Sequence, residues 1–318
     1  MGADLGTSAG ADTSAISFSG LTEFAAELLG LVADLSQNAT FPAEELERER
    51  RQMLEGLRIE RATPGFLAGE RLRRALFGGH PYAVVAPAES DVQAYQGERL
   101  VAFYREHYCP ANALLLMVGD FSSLELLDEI ERVFGSWSGE PPVAPQDPAP
   151  PELRGRSVSL VHLPESVQAQ VLVGNRAITR KHPDWLHLGL ANSIYGGAFH
   201  SRLVMNIRED KGYTYSPRSS VNALRQHGYF SVSAAVRTDV VAASLPEIFY
   251  EIDRLRSVPV PEAELADAQY YLSGVFSMGL ATQDGLLTQF STVALNELPE
   301  DYFETYRAKA RAHTPETA

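Results

Sequence analysis

One cysteine, Cys109, is all the thiol in this 318-residue chain, which excludes a disulfide framework and any cysteine-rich metal site. Long apolar runs are missing too, and no stretch approaches the length that spans a bilayer. Positive charge is scarce: 27 Lys and Arg face 41 Asp and Glu, a formal net charge of −14. The basic face that a nucleic-acid binder needs is therefore not available, and an anionic membrane surface is disfavoured as a partner. Residues 1–8 show neither the basic nor the apolar region of a secretory leader. Neither Gly78-Gly79 nor Gly196-Gly197 is followed by the further glycine or Lys-Ser/Thr of a phosphate loop. What remains is an ordinary globular balance, 45% hydrophobic and 21% charged, in a chain long enough for two domains.

Proline concentrates where the chain divides. Pro141, Pro142, Pro145, Pro148, Pro150 and Pro151 fall within residues 139–156, a density that blocks helix and central strand and favours an extended linker. The expected domains are residues 1–138 and 157–318. Each half reads in the same order: a strand (13–19; 228–236), an amphipathic helix (21–35; 241–255), then a helix opened by proline. Pro42, Glu45 and Leu46 recur at the same spacing as Pro261, Glu264 and Leu265, which points to an internal duplication. Roughly a hundred residues of the second half precede that proline and only about forty of the first. The first copy therefore reads as having lost an N-terminal strand pair and helix. Strands are also expected at 113–118, a near-continuous apolar run, and at 158–162 and 169–173. The fold class is α+β, two duplicated sheet-plus-helix domains, the first truncated at its N-terminus.

The stretch from Gly196 to Ser216 is the densest in unusual residues. Phe199, Leu203 and Ile207 recur at helical spacing, Gly212 stops the helix, and Tyr213 and Tyr215 alternate into a strand. Arg208 would close the helix and Tyr215 lie in the strand. That aims a guanidinium and a phenol at one point, which suits gripping a peptide carbonyl or carboxylate. The plain alternative is an arginine complementing a helix dipole and a tyrosine acting as an ordinary strand former. Glu49 lies at the edge of the stripe Leu46, Met53, Leu54 and Leu57 on a predicted helix 43–59, with Arg50 nearer its centre. On periodicity alone a solvated face with i, i+4 pairs is the better explanation, although its counterpart counted from the shared proline is Ala268. His80 reads as a loop or capping residue, His107 and Tyr108 as packing at a helix end, and Cys109 as a small apolar residue.

Several of these motifs, in order and spacing, resemble the pitrilysin/insulinase family, the inverzincin zinc peptidases that include mitochondrial processing peptidase. The carriers are Phe41 to Arg50, His80-Pro81-Tyr82, His107-Tyr108 with Pro110 to Ala113, Val118-Gly119-Asp120 and, above all, Gly196-Gly197, Ser201-Arg202-Leu203, Arg208-Glu209 and Gly212 to Tyr215. The resemblance implies a repeated αβ domain closing like a clamshell around an extended peptide. It implies a zinc metalloendopeptidase activity, with Arg208 and Tyr215 holding substrate and Glu49 in the place of the third zinc ligand. The chain departs from the family at the other ligands. His80, His107, His162, His182, His187, His200, His227 and His313 include no pair four apart, and no H-x-x-E-H occurs. One carboxylate cannot hold a catalytic zinc, so no zinc is expected on this chain and no peptide hydrolysis by it alone. Either the zinc helix lies in a missing segment, or this is a non-catalytic, peptide-binding member. The latter would pair with a zinc-bearing homologous subunit or a second copy, or serve a structural role. The compartment stays open between bacterial periplasm and cytoplasm.

Overall fold

In a computed structural model, which describes residues 2–122 and 124–315, the chain forms two compact units. One comprises residues 1–59 and 86–147, the other residues 60–85 and 148–318.

The first unit opens with an antiparallel hairpin, β1 (Asp4–Ala9) and β2 (Ser14–Ser19), registered from Asp4 opposite Ser19 to Ala9 opposite Ser14. Helix α1 (Ala25–Gln37) supplies its core through Leu28, Leu29, Val32 and Ala33, all buried. Helix α2 (Ala43–Arg61) follows. The chain then leaves for α3 (Pro64–Phe77) in the second unit and returns as α4 (Glu89–Ala94), α5 (Gly97–His107) and α6 (Leu126–Phe134). Gln37 Nε2 donates to Val133 O at 2.8 Å, and Tyr104 Oη to Ser36 O at 2.9 Å, which ties α1 to α6 and α5. Arg50, read as central to the α2 stripe, is largely covered and donates to Val92 O and Tyr95 O beyond its own helix.

The second unit is built on a three-stranded antiparallel sheet of order β3-β5-β4, from β3 (Gln168–Ala177), β4 (Arg218–Ala223) and β5 (Gly228–Arg237). Alternation sorts its faces. Val171, Val232, Ala234 and Val236 point into the main core, where they meet Tyr195, Leu203, Ile207 and Ile248. That core is closed by a short α8 (Arg202–Val204) and α9 (Val241–Ser257), while α7 (Trp185–Asn192) packs through Leu190 on Leu265 and Ala268 of α10 (Glu262–Gly279), with α11 (Gln283–Leu295) and α12 (Tyr302–Arg311) beyond. On the opposite face α3 crosses β3. Gly174 permits the approach: a Cβ there would lie 2.9 Å from a Leu72 methyl and 3.1 Å from Phe230 O. Leu76, Phe77 and Tyr82 make a second core there with Tyr229 and Leu224. The fold is α+β, as expected. Helix starts in the two repeats match to the hydrogen bond: Leu46 N donates to Pro42 O and Leu265 N to Pro261 O, both at 3.0 Å.

Two expected strands do not form. Residues 113–118 and 158–162 carry no ladder partner among the described residues. Leu114 is 52% exposed and Val158 94%. An apolar β-branched run signals that a strand is available, but a strand exists only where a neighbour accepts and donates its backbone hydrogen bonds.

Candidate functional site

The segment from Ser193 to Arg218 is held from below and open above. Helix α7 runs on into a π-helical turn, Ser193–Gly197, which buries Ile194 and Tyr195. Tyr195 Oη donates to Ile248 O at 3.1 Å, and burial, followed by the nearby Glu251 carboxylate, pushes its pKa well above the usual phenol range. Ser201 precedes α8, whose first residue is the anchor: Arg202 is almost fully buried and makes two parallel bonds to Glu264 of α10, Nε to Oε1 and Nη2 to Oε2, both 2.7 Å. The Glu264 hydrogen bond, against the opposing effect of burial, raises the Arg202 pKa further. Asn206 Nδ2 then donates to Glu247 at 3.0 Å and Glu251 at 2.9 Å on α9. Leu203 and Ile207 point into the core with no exposed surface.

Residues Met205–Asp210 form a second π-helical turn. Lys211 N reaches Asn206 O at 3.1 Å, five residues back, and Tyr213 N reaches Ile207 O at 2.9 Å, six back. Gly212 ends the turn at φ +63°, a backbone region that costs a side chain energy. Such widened turns recur at functional sites because they re-aim side chains relative to a regular helix. Here the side chain re-aimed is Arg208. Its guanidinium carbon lies 4.8 Å from the Phe199 ring centre and 4.9 Å from that of Tyr215. Both rings are exposed, Tyr215 to 80%. Thr214 fixes the approach to Tyr215, pairing with Val236 and donating from Oγ1 to Ala235 O at 2.6 Å.

The structure thus brings Arg208 and Tyr215 together, with two local corrections. Arg208 sits inside a π-turn rather than at a regular helix end, and Tyr215 lies in a bend, the strand beginning only at Arg218. A third group was missed. Phe199 was read as the start of the helical stripe, yet it lies in the turn before α8 and covers Arg208. The signal was present: Ser201 is a favourable residue just ahead of a helix start, and a helix from Arg202 leaves Phe199 outside it. Aromatic rings on a guanidinium occupy its faces and leave its edge N–H donors available. The ion pair found on that edge is from Nε to Glu209, at 3.3 Å.

Glu49 stands elsewhere, on α2 of the first unit. It is more than half exposed, its carboxylate 3.0 Å from Arg48. Among the described residues no three His, Cys, Asp or Glu side chains gather so as to hold a metal ion. The donors found here do not fit a catalytic zinc, and no step is derived through one. His80 is a cap as read, accepting from Tyr82 N at 3.1 Å, and Cys109 is buried.

Comparison with known proteins decides the family. The profile described as "Peptidase M16 inactive domain" matches residues 95–272. The chain belongs to the peptidase M16 family. Arg208 and Tyr215 lie within the matched M16 stretch and Glu49 outside it. The chain is 22% identical over 270 residues to the uncharacterized zinc protease YmxG of Bacillus subtilis, covering 85% of this chain and 65% of that protein. It is 28% identical over 281 residues to the uncharacterized zinc protease Rv2782c of Mycobacterium tuberculosis, covering 84% and 61%. It thus spans less than two thirds of these relatives' lengths. A solved peptidase M16 inactive domain from Pseudomonas fluorescens superposes with a TM-score of 0.90 at 27% identity, over 99% of this chain and 76% of that one. Zinc accordingly belongs to the named relatives of this M16 chain, whose own match is to the inactive domain.

Proposed function

We propose that this chain holds extended peptides for an M16 peptidase, gripping a backbone carbonyl or carboxylate with Arg208 and Tyr215 while zinc chemistry is supplied by residues it does not contain. The observation that carries this reading is the guanidinium flanked by two exposed rings, with Glu209 ion-paired at its Nε. A bare surface arginine would lose more side-chain freedom on binding; the rings restrict that freedom in advance. Tyr215 adds a hydroxyl that donates or accepts and a face against which a peptide side chain can lie. A zinc-bearing homologous subunit is the partner that this division of labour calls for.

Isothermal titration with an extended, unstructured peptide tests the reading. Hydrogen bonds to a charged group contribute about 1.5–3 kcal/mol. Replacing Arg208 and Tyr215 together by Ala should therefore weaken binding by roughly tenfold or more, with an unchanged circular dichroism spectrum. Equal affinity in a folded double variant would overturn the proposal.

A further inference from the structure

The sheet face turned away from the main core holds a second site. Between the start of α3 and the face of the three-stranded sheet lies a cleft of about 400 Å³, reached by Arg218, Ser220, Tyr229, Ser231, Ser233 and Gln170. Leu172 is its one large apolar side chain, and no carboxylate lines it, in a chain where acids outnumber bases 41 to 27. Arg218 opposes Ser233, and Ser220 opposes Ser231, in the β4–β5 register. Arg218 is exposed and has no ion-pair partner among the described residues.

A proton inventory shows what the cleft lacks. Gln170 Nε2 donates to Ser233 Oγ at 3.0 Å, so the Ser233 proton is left to give. Arg73 Nη1 donates to Tyr229 Oη at 3.3 Å, which leaves the phenol proton to give as well. Asn222 Nδ2 donates to Ser220 Oγ, and the Ser220–Ser231 contact of 3.1 Å uses one of those two hydroxyl protons and leaves the other. With the Arg218 guanidinium, the cleft offers one cation and several hydroxyl donors and no anion, its acceptors being neutral amide and hydroxyl oxygens such as those of Gln170 and Asn222. Its natural ligand is an anionic, planar acceptor.

We infer that this cleft is a carboxylate subsite of the peptide site, taking an Asp or Glu side chain or the C-terminal carboxylate of an extended chain held at Arg208 and Tyr215. The inference rests on the peptide-holding reading above. Register gives the spacing: Thr214 pairs with Val236, and Arg218 opposes Ser233. Three residues of β5 separate those positions, about 10 Å of extended backbone. A peptide lying against Tyr215, next to Thr214, would therefore reach Arg218 about three residues further along. The overall negative charge repels acidic peptides at long range, but at physiological salt that field fades beyond about 8 Å, so a local preference survives.

The test uses fluorescein-labelled twelve-residue peptides of Ala, Ser and Thr carrying one Glu, its Gln isostere, or no acid, each as C-terminal acid and amide. Anisotropy is read with the unmodified protein, Arg218→Gln, Ser233→Ala and Arg208→Ala. The Glu peptide should bind about tenfold tighter than the Gln peptide. Arg218→Gln should abolish that ratio by weakening the Glu peptide about tenfold more than the Gln peptide, and Ser233→Ala should reduce it. Arg208→Ala should weaken both peptides and keep the ratio. A preference that follows the free C-terminus instead, and is lost with Arg218, identifies the terminal carboxylate as the source. A ratio of one in the unmodified protein, or a ratio untouched in Arg218→Gln, overturns the subsite while leaving the Arg208 grip standing. Loss of the ratio in Arg218→Gln with no effect of Arg208→Ala overturns the grip instead.

Discussion

Arg202 and Glu264 set the position of everything that follows them in the chain. Removing one partner of a buried pair strands the other's charge, at a cost of about 3–5 kcal/mol, whereas replacing both with apolar residues is far milder. Glu264 is about a third exposed, which puts Glu264→Ala at the lower end, about 3 kcal/mol by urea unfolding, with Arg202→Met/Glu264→Leu recovering at least half of the loss. His227 gives a second prediction at this scale. Its ring faces His80 at 5.1 Å and Tyr82 at 6.3 Å. Burial, then His80 and Arg176, hold its pKa below the ordinary histidine value. The unfolded chain takes up a proton near pH 6.5 that the native site resists. Stability from this group is therefore complete above about pH 6.5 and is lost as pH falls toward the lower native pKa. The thermal midpoint should drop more on acidification from about pH 7 to 5.5 in the unmodified protein than in His227→Gln; parallel curves would refute it. The meeting of Arg208 and Tyr215 was legible because guanidinium and phenol chemistry is written in residue identity. Phe199 was not, since a phenylalanine has the same letter whether it fills a core or roofs an arginine.

The helices read at 21–35, 43–59 and 241–255 recur as α1, α2 and α9 within a few residues of those bounds, because burial of one face imposes a period that a single segment displays by itself. Strands were read only in part. β5 and β3 showed their alternation, while 113–118 and 158–162 looked equally extended but found no ladder partner among the described residues. Pairing is a property of two segments, and one segment cannot announce it. The π-turn carrying Arg208 was illegible for a related reason: its five-back and six-back bonds answer to the anchors at Arg202 and Asn206. Two glycines test element geometry. Gly212→Ala meets no atom within 4 Å but keeps φ +63°, so it should cost about 1 kcal/mol and loosen the Arg208 turn. Gly174→Ala drives a methyl group onto Leu72 and a backbone oxygen and should cost about 1–3 kcal/mol. A Leu72→Ala background that restores most of that loss would show that α3 over β3 is the cause.

At the scale of the whole molecule, the absence of a gathered donor set around Glu49 among the described residues predicts that the purified chain retains well under one zinc per molecule. A one-to-one content by elemental analysis would overturn that expectation. The duplicated order of elements was visible in the sequence, because Pro42 and Pro261 open equivalent helices. The interleaving of the two units was not, since nothing in α3 names β3 as its destination. That interleaving sets a timetable for synthesis. Arg73 and Tyr229, bonded in the native second unit, are 156 residues apart. At about 5–20 residues per second, α3 and the Phe77 cluster emerge on the order of ten seconds before the strands that shelter them. A ribosome-bound nascent chain stalled before β5 should therefore present Leu76 and Phe77 to chaperones, and release them once the hairpin of β4 and β5 is made.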